Sequence, residues 1–193
     1  MSVRLKEPRL YPLDESEWSE EQIQLLTPFK LGGRVFNVFT TLARNPKMMK
    51  DWLRFASYIL RRSALPPRDR EILILRIGWL CQSEYELGQH SLLGHHAGLT
   101  PEEISRIIEG PEAKGWTAFE AALIQAVDEL HSDAFVGDAT WHTLAEHYDE
   151  KQMIDLIMTV GMYNLISMAL NSLGVQPDEG FPGFPKQSQV PAS

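Results

Sequence analysis

The chain reads as a succession of amphipathic helices separated by prolines and glycines. Apolar residues recur at intervals of three and four along most of its length, which is the spacing of one helix face. Capping signals mark where several helices begin: Ser19 with Gln22, Asn45 before Pro46, Thr100 before Pro101, Thr117 with Glu120, and Asp149 with Gln152. No segment alternates apolar and polar residues as a half-buried strand does. The pattern therefore predicts an all-α fold.

The pattern also predicts where these helices end. We expect helices over 20–26, 36–43, 46–62, 68–96, 101–109, 117–132, 140–148 and 150–173. The longest of them, 68–96, is apolar around most of its circumference, as in a helix buried in its own domain or against a partner subunit. Within it, Gly78 can serve a close backbone approach or a kink.

Changes in composition divide the chain into three parts. Residues 1–34 form an N-terminal extension with one short helix, and residues 35–175 form the helical domain. Residues 176–193 are rich in proline and glycine, which predicts a flexible tail or one draped over a surface. Phe181 and Phe184 are candidate anchors for this tail on a neighbour.

Charge and cysteine usage narrow the possible partners and the compartment. The 193-residue chain carries a formal net charge of -8 and shows no basic stripe, so we expect neither a nucleic acid nor a membrane as partner. Cys81 is the single cysteine, which excludes an intramolecular disulfide and favours a reducing compartment. The N-terminal residues lack the apolar stretch of a signal peptide, so the expected location is the cytoplasm.

An unusual group of polar residues interrupts the long apolar helix. Glu86 and His90 are four residues apart, so their side chains share one helix face. Ser83 lies three residues before Glu86 and roughly on that face. If the helix is continuous, Glu71 lies only about 60° from Glu86 around the helix axis. One arc of one helix would then display all four side chains.

A carboxylate beside an imidazole supplies a proton acceptor and a proton donor whose pKa values depend on burial and on each other. A glutamate and a histidine at this spacing can equally form a surface pair that contributes a few tenths of a kcal/mol. The residue pattern alone leaves both interpretations open.

The segment from Leu65 to Glu103 resembles the carboxymuconolactone decarboxylase and alkylhydroperoxidase D (AhpD) superfamily. Its peroxidase branch has a Cys-x-x-Cys pair, a histidine four residues later and a glutamate twelve residues before the first cysteine. The resemblance places Glu71 and His90 on that glutamate and histidine, and Tyr85 on a common aromatic. The cysteine positions are Ser83 and Glu86. The segments NVFTTLARNP and MTVGMYNLISMALNSLGV extend the resemblance over roughly residues 35–175.

The departures from the peroxidase pattern decide which activity the resemblance implies. Ser83 and Glu86 can neither attack a peroxide nor resolve a sulfenic acid. Cys81 lies about 160° around the helix from the first cysteine position, so we expect it to be a small buried apolar residue. The decarboxylase branch lacks the cysteine pair and keeps a glutamate four residues before the histidine, as Glu86 and His90 do.

The resemblance therefore implies an oligomeric AhpD-like helical bundle and a cofactor-independent lyase or isomerase. The expected substrate is a small oxygenated organic acid or lactone, of the kind met in the breakdown of aromatic compounds. Catalysis would rest on Glu86, His90 and Glu71, whereas substrate binding or support of the catalytic groups would fall to Ser83, Tyr85, Tyr163 and Asn164. The alternatives are a peroxidase-related antioxidant protein and a non-catalytic oligomeric binding protein with a closed, dry surface around His90.

Several further expectations concern ligands and partners. His95 and His96 point away from His90 on a helix, which makes a shared metal site unfavourable, so we expect no metal. The resemblance implies that no organic cofactor is needed either. A substrate carboxylate would need a nearby cation, for which Arg76 is the candidate.

The later helices and the family resemblance add two more expectations. Asn164, Ser167 and Asn171 form a polar stripe that either caps buried backbone at a helix crossing or lines a cleft opposite His90. The resemblance implies a homo-oligomer, a trimer or hexamer, with a dimer as the other possibility.

Overall fold

The computed structural model describes residues 5–181 and residue 183, and this part of the chain contains no β-strand. Its nine α-helices are α1 (Glu20–Leu26), α2 (Asn37–Leu42), α3 (Pro46–Arg62), α4 (Pro67–Leu80), α5 (Glu84–His96), α6 (Pro101–Glu109), α7 (Ala118–Asp133), α8 (Asp138–Ala145) and α9 (Glu150–Leu173). Short 3-10 turns span Glu15–Glu17 and Thr27–Phe29. The predicted all-α fold class is confirmed.

The helices begin where the capping residues predict. Four helices begin with a capping box, in which the side chain of the capping residue accepts a hydrogen bond from the backbone N–H of the third helical residue. The side chain of that third residue accepts in turn from the backbone N–H of the capping residue. The four capping residues are Ser19, Thr100, Thr117 and Asp149. Asn45 caps α3 by accepting from the backbone N–H of Met48. Local hydrogen bonds of this kind satisfy donors that a helix start otherwise leaves unpaired.

The predicted continuous helix over 68–96 is wrong, because the chain turns sharply between α4 and α5. Gln82 adopts a left-handed conformation at φ 55°, and its side-chain amide donates to the carbonyl of Trp79 at 2.8 Å. Asn171 of α9 donates to the freed carbonyl of Cys81 at 2.8 Å. Side chains from the turn and from a distant helix thus replace the lost helical bonds, and no glycine or proline marks the break.

This turn folds α5 back against α4. A Cβ added to Gly78 of α4 would lie 3.4 Å from the Cβ of Glu86 on α5, so the glycine permits a close approach of the two helices. Of the two roles expected for Gly78, the structure has the close approach. The helix crossing brings α4 residues beside Glu86 and His90 that a single straight helix would have kept apart.

The core is built around α4, which contacts α5, α6, α7 and α9. Its residues Ile72 to Leu75 and Ile77 are completely buried. Within the described residues, α9 is the one helix long and apolar enough to cross a membrane by length and composition, and 56% of its most apolar window is buried inside the protein. That burial is typical of a core helix. Its outer face stays exposed and apolar.

The first residues after α9 pack against the helical domain. Asp178 is buried, accepts a hydrogen bond from the Tyr85 hydroxyl at 2.6 Å and another from the Asn37 backbone N–H at 3.0 Å. The Phe181 ring meets the edge of the Phe36 ring at a centroid distance of 5.3 Å. The predicted anchor Phe184 lies outside the described residues, and the division of the chain at 34 and 175 stays a prediction.

Candidate active site

His90 on α5 is held by a carboxylate from α4. Its Nδ1 lies 2.7 Å from Oε2 of Glu71, whose side chain is completely buried. This hydrogen bond fixes the orientation of the imidazole ring, because the same ring nitrogen cannot turn toward another partner. The pair exists because α4 and α5 pack against each other.

A second carboxylate lies on the other side of the same ring. Oε2 of Glu86, one helical turn before His90, is 3.5 Å from Nε2 of the imidazole, and both side chains are only 7% exposed. The expected sharing of one face by Glu86 and His90 holds. Glu71, in contrast, reaches His90 from a separate helix, so the expected single arc of one helix is wrong. We call Glu71, Glu86 and His90 the Glu–His–Glu cluster.

Arg70 joins this cluster and was missed in the sequence. Its Nε and Nη2 donate to Oε1 of Glu71 at 3.2 and 3.1 Å. The side chain is 14% exposed, so its charge acts on Glu71 with little screening by solvent. Its position directly before Glu71 was the available signal, but adjacent residues on a helix do not normally face each other.

Burial and neighbouring charges act in opposite directions on the Glu71–His90 pair. Burial by itself would raise the pKa of Glu71, but His90 and Arg70 outweigh it and lower that pKa below its ordinary value. Burial would likewise lower the pKa of His90, but the negative charges of Glu71 and Glu86 outweigh it and raise that pKa. Both shifts favour the charged pair, a carboxylate bonded to an imidazolium.

Glu86 has the opposite electrostatic character. Burial raises its pKa, His90 offsets only part of that effect, and the negative charge of Glu71 raises the pKa further. Two carboxyl groups in one buried cluster thus differ, with Glu71 favoured as a carboxylate and Glu86 retaining its proton to higher pH. Such a difference between neighbouring acids is the arrangement used for general acid–base catalysis.

Tyr163 of α9 completes the wall of the cluster. Its ring meets the His90 ring edge-on at a centroid distance of 4.8 Å. Burial, together with the charges of Glu86 and Glu71, raises the pKa of its phenol well above the ordinary value. Tyr163 therefore stays neutral, and α9 supplies the side of the site that faces α5.

Three other residues singled out in the sequence lie in different surroundings. Tyr85 holds Asp178 of the C-terminal segment, as described above. Asn164 accepts a hydrogen bond from the Cys81 thiol at 3.0 Å, beside the turn between α4 and α5. Arg76 is bonded to Asp128 of α7 at 2.6 Å. The contacts of these side chains serve packing between segments, so the expected help of Arg76 in substrate binding is wrong.

Two residues of the polar stripe on α9, Asn164 and Asn171, and the histidines His95 and His96 also find local partners, whereas the Ser167 hydroxyl has none. Asn171 and Asn164 bond to the backbone carbonyl and the thiol of Cys81, which agrees with a stripe that caps buried groups at a helix crossing. His95 and His96 bond through Nδ1 to the carbonyl oxygens of Leu99 and Leu92. Over residues 5–181 and 183, no group of three or more His, Cys, Asp or Glu side chains is arranged to hold a metal ion.

The cluster is deeply buried within one chain, where the side chains of Glu86 and His90 are 7% exposed. A cavity of about 20 Å³ lies near the start of α5 and the end of α9, where Tyr85 and Leu170 line it. A surface groove of about 370 Å³ lies along α3, lined by Leu53 and Arg54. Neither is lined by His90.

Comparisons with known proteins show what the chain is similar to. The model of the Carboxymuconolactone decarboxylase family matches residues 46–129, which contain Glu71, Glu86 and His90. Among curated proteins, the uncharacterized protein YdfG of Bacillus subtilis (strain 168) is 24% identical over 132 residues, covering 66% of this chain and 89% of its own.

Solved structures share the fold at low sequence identity. The AhpD core of a peroxidase-related protein from Ralstonia eutropha JMP134 matches with a TM-score of 0.77 at 17% identity, over 89% of this chain and 93% of the other. A peroxidase-related protein from Silicibacter sp. TM1040 matches with a TM-score of 0.72 at 16% identity, over 92% of each chain. The debrominase Bmp8, in complex with 2,3,4-tribromopyrrole, matches with a TM-score of 0.71 at 14% identity, over 90% and 94%.

Proposed function

We propose that this chain, which belongs to the carboxymuconolactone decarboxylase and AhpD-like superfamily, is an acid–base lyase or isomerase that acts without a cofactor. Its substrate is a small oxygenated organic acid or lactone. The observation that carries the proposal is the position of His90 between Glu71, whose pKa is lowered, and Glu86, whose pKa is raised so that its carboxyl group can both take up and release a proton.

In this proposal Glu86 is the group that exchanges a proton with the substrate. As a carboxylate, Glu86 removes a proton from a carbon beside a carbonyl group, and it returns the proton to another carbon of the same conjugated system. That sequence isomerises the substrate and conserves all atoms. His90, 3.5 Å from Glu86 and fixed by Glu71, stabilises the carboxylate while the proton is on its way.

The same groups can support a decarboxylation. The bond to the substrate carboxylate breaks, its electron pair enters the conjugated carbonyl system, and CO2 leaves. Protonated Glu86 then delivers its proton to carbon and regains one from water. Both reactions use a carboxyl group whose pKa is raised by burial, which is the direction found for Glu86.

Thiol chemistry is the alternative that the relatives suggest, since two of the similar structures are peroxidase-related proteins. In this chain Cys81 is buried and its thiol is bonded to Asn164. The cysteine positions of the peroxidase pattern hold Ser83 and Glu86. These residues favour acid–base chemistry over peroxide reduction.

A non-catalytic binding protein is the second candidate, and the enclosure of the cluster favours it. The side chains of Glu86 and His90 are 7% exposed, and neither cavity described above reaches His90. A binding protein would hold a ligand here without exchanging its protons, which separates this candidate from an enzyme.

We also propose that the protein is a homo-oligomer, a trimer or hexamer, with α9 at the interface. Ile154, Met158, Leu165 and Met168 of α9 are each at least 45% exposed, although a monomer rarely displays such a row of apolar side chains. Light scattering of the purified protein tests this proposal. A monomer at micromolar concentration would contradict it.

Deuterium exchange tests the proposed reaction without knowledge of the natural substrate. Unsaturated γ-lactones, with and without a carboxylate, are incubated with the protein in D2O, and carbon-bound deuterium is followed by NMR. We expect exchange with the wild type and with Cys81→Ser, and loss of exchange with Glu86→Gln. Exchange that persists in Glu86→Gln, or that depends on Cys81, would overturn the assignment.

A further inference from the structure

The side of α9 that faces away from the Glu–His–Glu cluster is apolar and exposed. Five of its side chains are between 36% and 60% exposed: Ile154, Ile157, Met158, Leu165 and Met168. Together with Gly161 they fall within a stripe about 100° wide along one side of the helix, opposite to Tyr163. We call these six residues the apolar stripe. A continuous apolar surface of this kind marks an interaction site.

The apolar stripe carries no charge. After Lys151, the one charged residue of α9 is Asp155, which is buried and accepts a hydrogen bond from the Tyr58 hydroxyl at 2.8 Å. From residue 154 to residue 168 the stripe is about 21 Å long. A helix face of this length that stayed in water would carry charged or polar side chains. The surface that covers the stripe must therefore be uncharged and apolar as well.

Gly161 lies at the centre of the stripe, and packing within the chain does not require it. A Cβ added at this position would meet no atom within 4 Å, whereas one added to Gly78 would lie 3.4 Å from the Cβ of Glu86. A glycine inside a helix destabilises the helix relative to alanine. Its benefit here is a low point in the stripe, at which the backbone of another helix can approach closely.

The apolar side chains are arranged symmetrically about Gly161. Ile154 and Met168 lie seven residues before and after it, and Ile157 and Leu165 lie four residues before and after it. Gly161 is also at the middle of the 24-residue helix. In two antiparallel helices related by a two-fold axis, a residue before the axis faces the residue equally far beyond it in the other copy. An antiparallel pair that crosses at Gly161 therefore places apolar side chains opposite apolar side chains along the whole stripe.

The charges at the start of α9 favour the antiparallel direction. In a parallel pair Glu150 would face Glu150 of the second copy, and Lys151 would face Lys151, so like charges would repel each other. In the antiparallel pair both residues lie beside residues 171 and 172 of the second copy, which are uncharged. The two helix dipoles then also run in opposite directions, which is the favourable arrangement.

We infer that α9 packs against α9 of a second copy of this chain as an antiparallel pair, with a two-fold axis at Gly161. The exposed side chains of the stripe present roughly 500 Å² per chain, so the pair buries about 1,000 Å², the area at which specific interfaces begin. The inference rests on the proposed α9 interface and narrows it. A two-fold pair fits a dimer or a hexamer built from dimers, and it excludes a trimer.

Cysteine cross-linking tests the direction of the pair. Every variant also carries Cys81→Ser, so that the introduced thiols are the only ones. In the inferred pair residue 154 faces residue 168 of the second copy, whereas the two copies of residue 154 are about 21 Å apart. We expect a short bis-maleimide to join two chains of the double variant Ile154→Cys/Met168→Cys. It should leave each single variant, Ile154→Cys and Met168→Cys, as separate chains on a denaturing gel.

Substitutions in the stripe give a second measurement that needs no cross-linker. Gly161→Leu fills the point of closest approach, although the space beside Gly161 is open within the chain. We expect its dissociation constant, from light scattering over a dilution series, to rise at least about 10-fold with an unaltered circular dichroism spectrum. Ile154→Glu should raise it as well. The matched control is Ile23→Glu on α1, where the isoleucine is 47% exposed and outside the stripe, and it should leave the constant unaltered.

The outcomes separate the antiparallel pair from the oligomer under the proposed function. A cross-link in either single variant, no cross-link in the double variant, or a wild-type dissociation constant in Gly161→Leu would each overturn the pair. A trimer would overturn the pair and leave the proposed oligomer in place. A monomer would overturn both, including a monomer that binds phospholipid vesicles through α9 instead of a second copy.

Discussion

Two buried charged clusters share α4, and they differ in how completely their polar atoms are bonded. Arg76 forms two hydrogen bonds with Asp128, at 2.6 and 2.8 Å, and donates two more to backbone carbonyls at 2.9 Å. Five residues earlier on the same helix, Glu71 holds His90, beyond which Glu86 stands at 3.5 Å. The buried, unpaired hydroxyls of Thr159 and Ser167 lie on α9, one helical turn to either side of the Tyr163 that contacts His90.

This difference separates a structural use of buried charge from a functional one. Around Arg76 the donors are bonded to protein groups, so the cluster ties α4 to α6 and α7 and leaves little for a ligand. Around His90 the protein retains a carboxyl group with a raised pKa and hydroxyls without partners, at a cost in stability. Variants in the two clusters should therefore affect different properties.

The largest effect is expected from Glu86→Gln. The amide keeps the shape and cannot exchange a proton with carbon, so the exchange rate should fall by about 10²- to 10⁴-fold. The free energy of unfolding of the variant, in contrast, should rise relative to that of the wild type as the pH increases. Because the folded-state pKa of Glu86 is raised, its contribution to stability is present below its ordinary pKa and is lost as pH rises through the raised value.

The melting temperature of Glu86→Gln relative to the wild type should accordingly increase as the pH is raised. Calorimetry over a pH series measures it, alongside the NMR exchange assay. A variant that loses both activity and stability at every pH would make Glu86 a structural residue.

Arg76→Met should have the converse effect. It leaves Asp128 and two backbone carbonyls without their donor, which we expect to cost about 3 kcal/mol of the free energy of unfolding. Urea denaturation followed by circular dichroism measures the loss. Deuterium exchange per folded molecule should stay at the wild-type level at low temperature. A variant that folds normally and loses exchange would place Arg76 in the functional cluster.

Glu71→Gln should show an intermediate effect on both properties. It removes a charge-assisted hydrogen bond, at a cost of about 2 kcal/mol, and it lowers the pKa of His90 by removing the charge that raises it. Stability from His90 is fully present below the ordinary histidine pKa and is lost as pH rises through the raised folded-state value. In the variant this loss should occur at lower pH.

NMR titration of the His90 ring protons measures the change directly, with a His90→Asn spectrum to identify the resonance. An unaltered His90 titration in Glu71→Gln would mean that the 2.7 Å contact does not control its ionisation.

Local signals in the sequence predicted most of the helix boundaries. Capping boxes such as Thr117 with Glu120 act over three residues, and the structure reproduces them. The break between α4 and α5 could not be predicted, because it depends on the left-handed Gln82 and on a hydrogen bond from Asn171, 90 residues further along the chain. Neither feature leaves a glycine or a proline as a local mark.

In the candidate site as well, the contact within one helix could be predicted and the contacts between helices could not. The spacing of four residues placed Glu86 beside His90, since that relation lies within one helix. The contact of Glu71 with His90 arises from the packing of two helices, so the residue was identified by resemblance and its geometry was wrongly derived. Arg70 and Thr159 depend on packing as well, and no spacing rule singled them out.

The smallest expected effect concerns Tyr85, whose hydroxyl is bonded to protein groups, as the side chain of Arg76 is. Its hydroxyl donates to Asp178 at 2.6 Å and accepts from the backbone N–H of Val38 at 3.3 Å. Tyr85→Phe should therefore cost about 1 kcal/mol of stability, since Asp178 keeps its bond from Asn37. The deuterium exchange rate at saturating lactone should not change.

Limited proteolysis gives a local measurement for Tyr85→Phe, because weaker attachment of residues 176–181 should speed cleavage after α9 and leave cleavage elsewhere unaltered. Asn37→Ala, which removes only the side-chain bond to the carbonyl of Gln176, is the matched control for a contact of the same segment. A fall in exchange rate in Tyr85→Phe alone would move Tyr85 from the group of packing residues to the site, and would show that the C-terminal segment takes part in closing it.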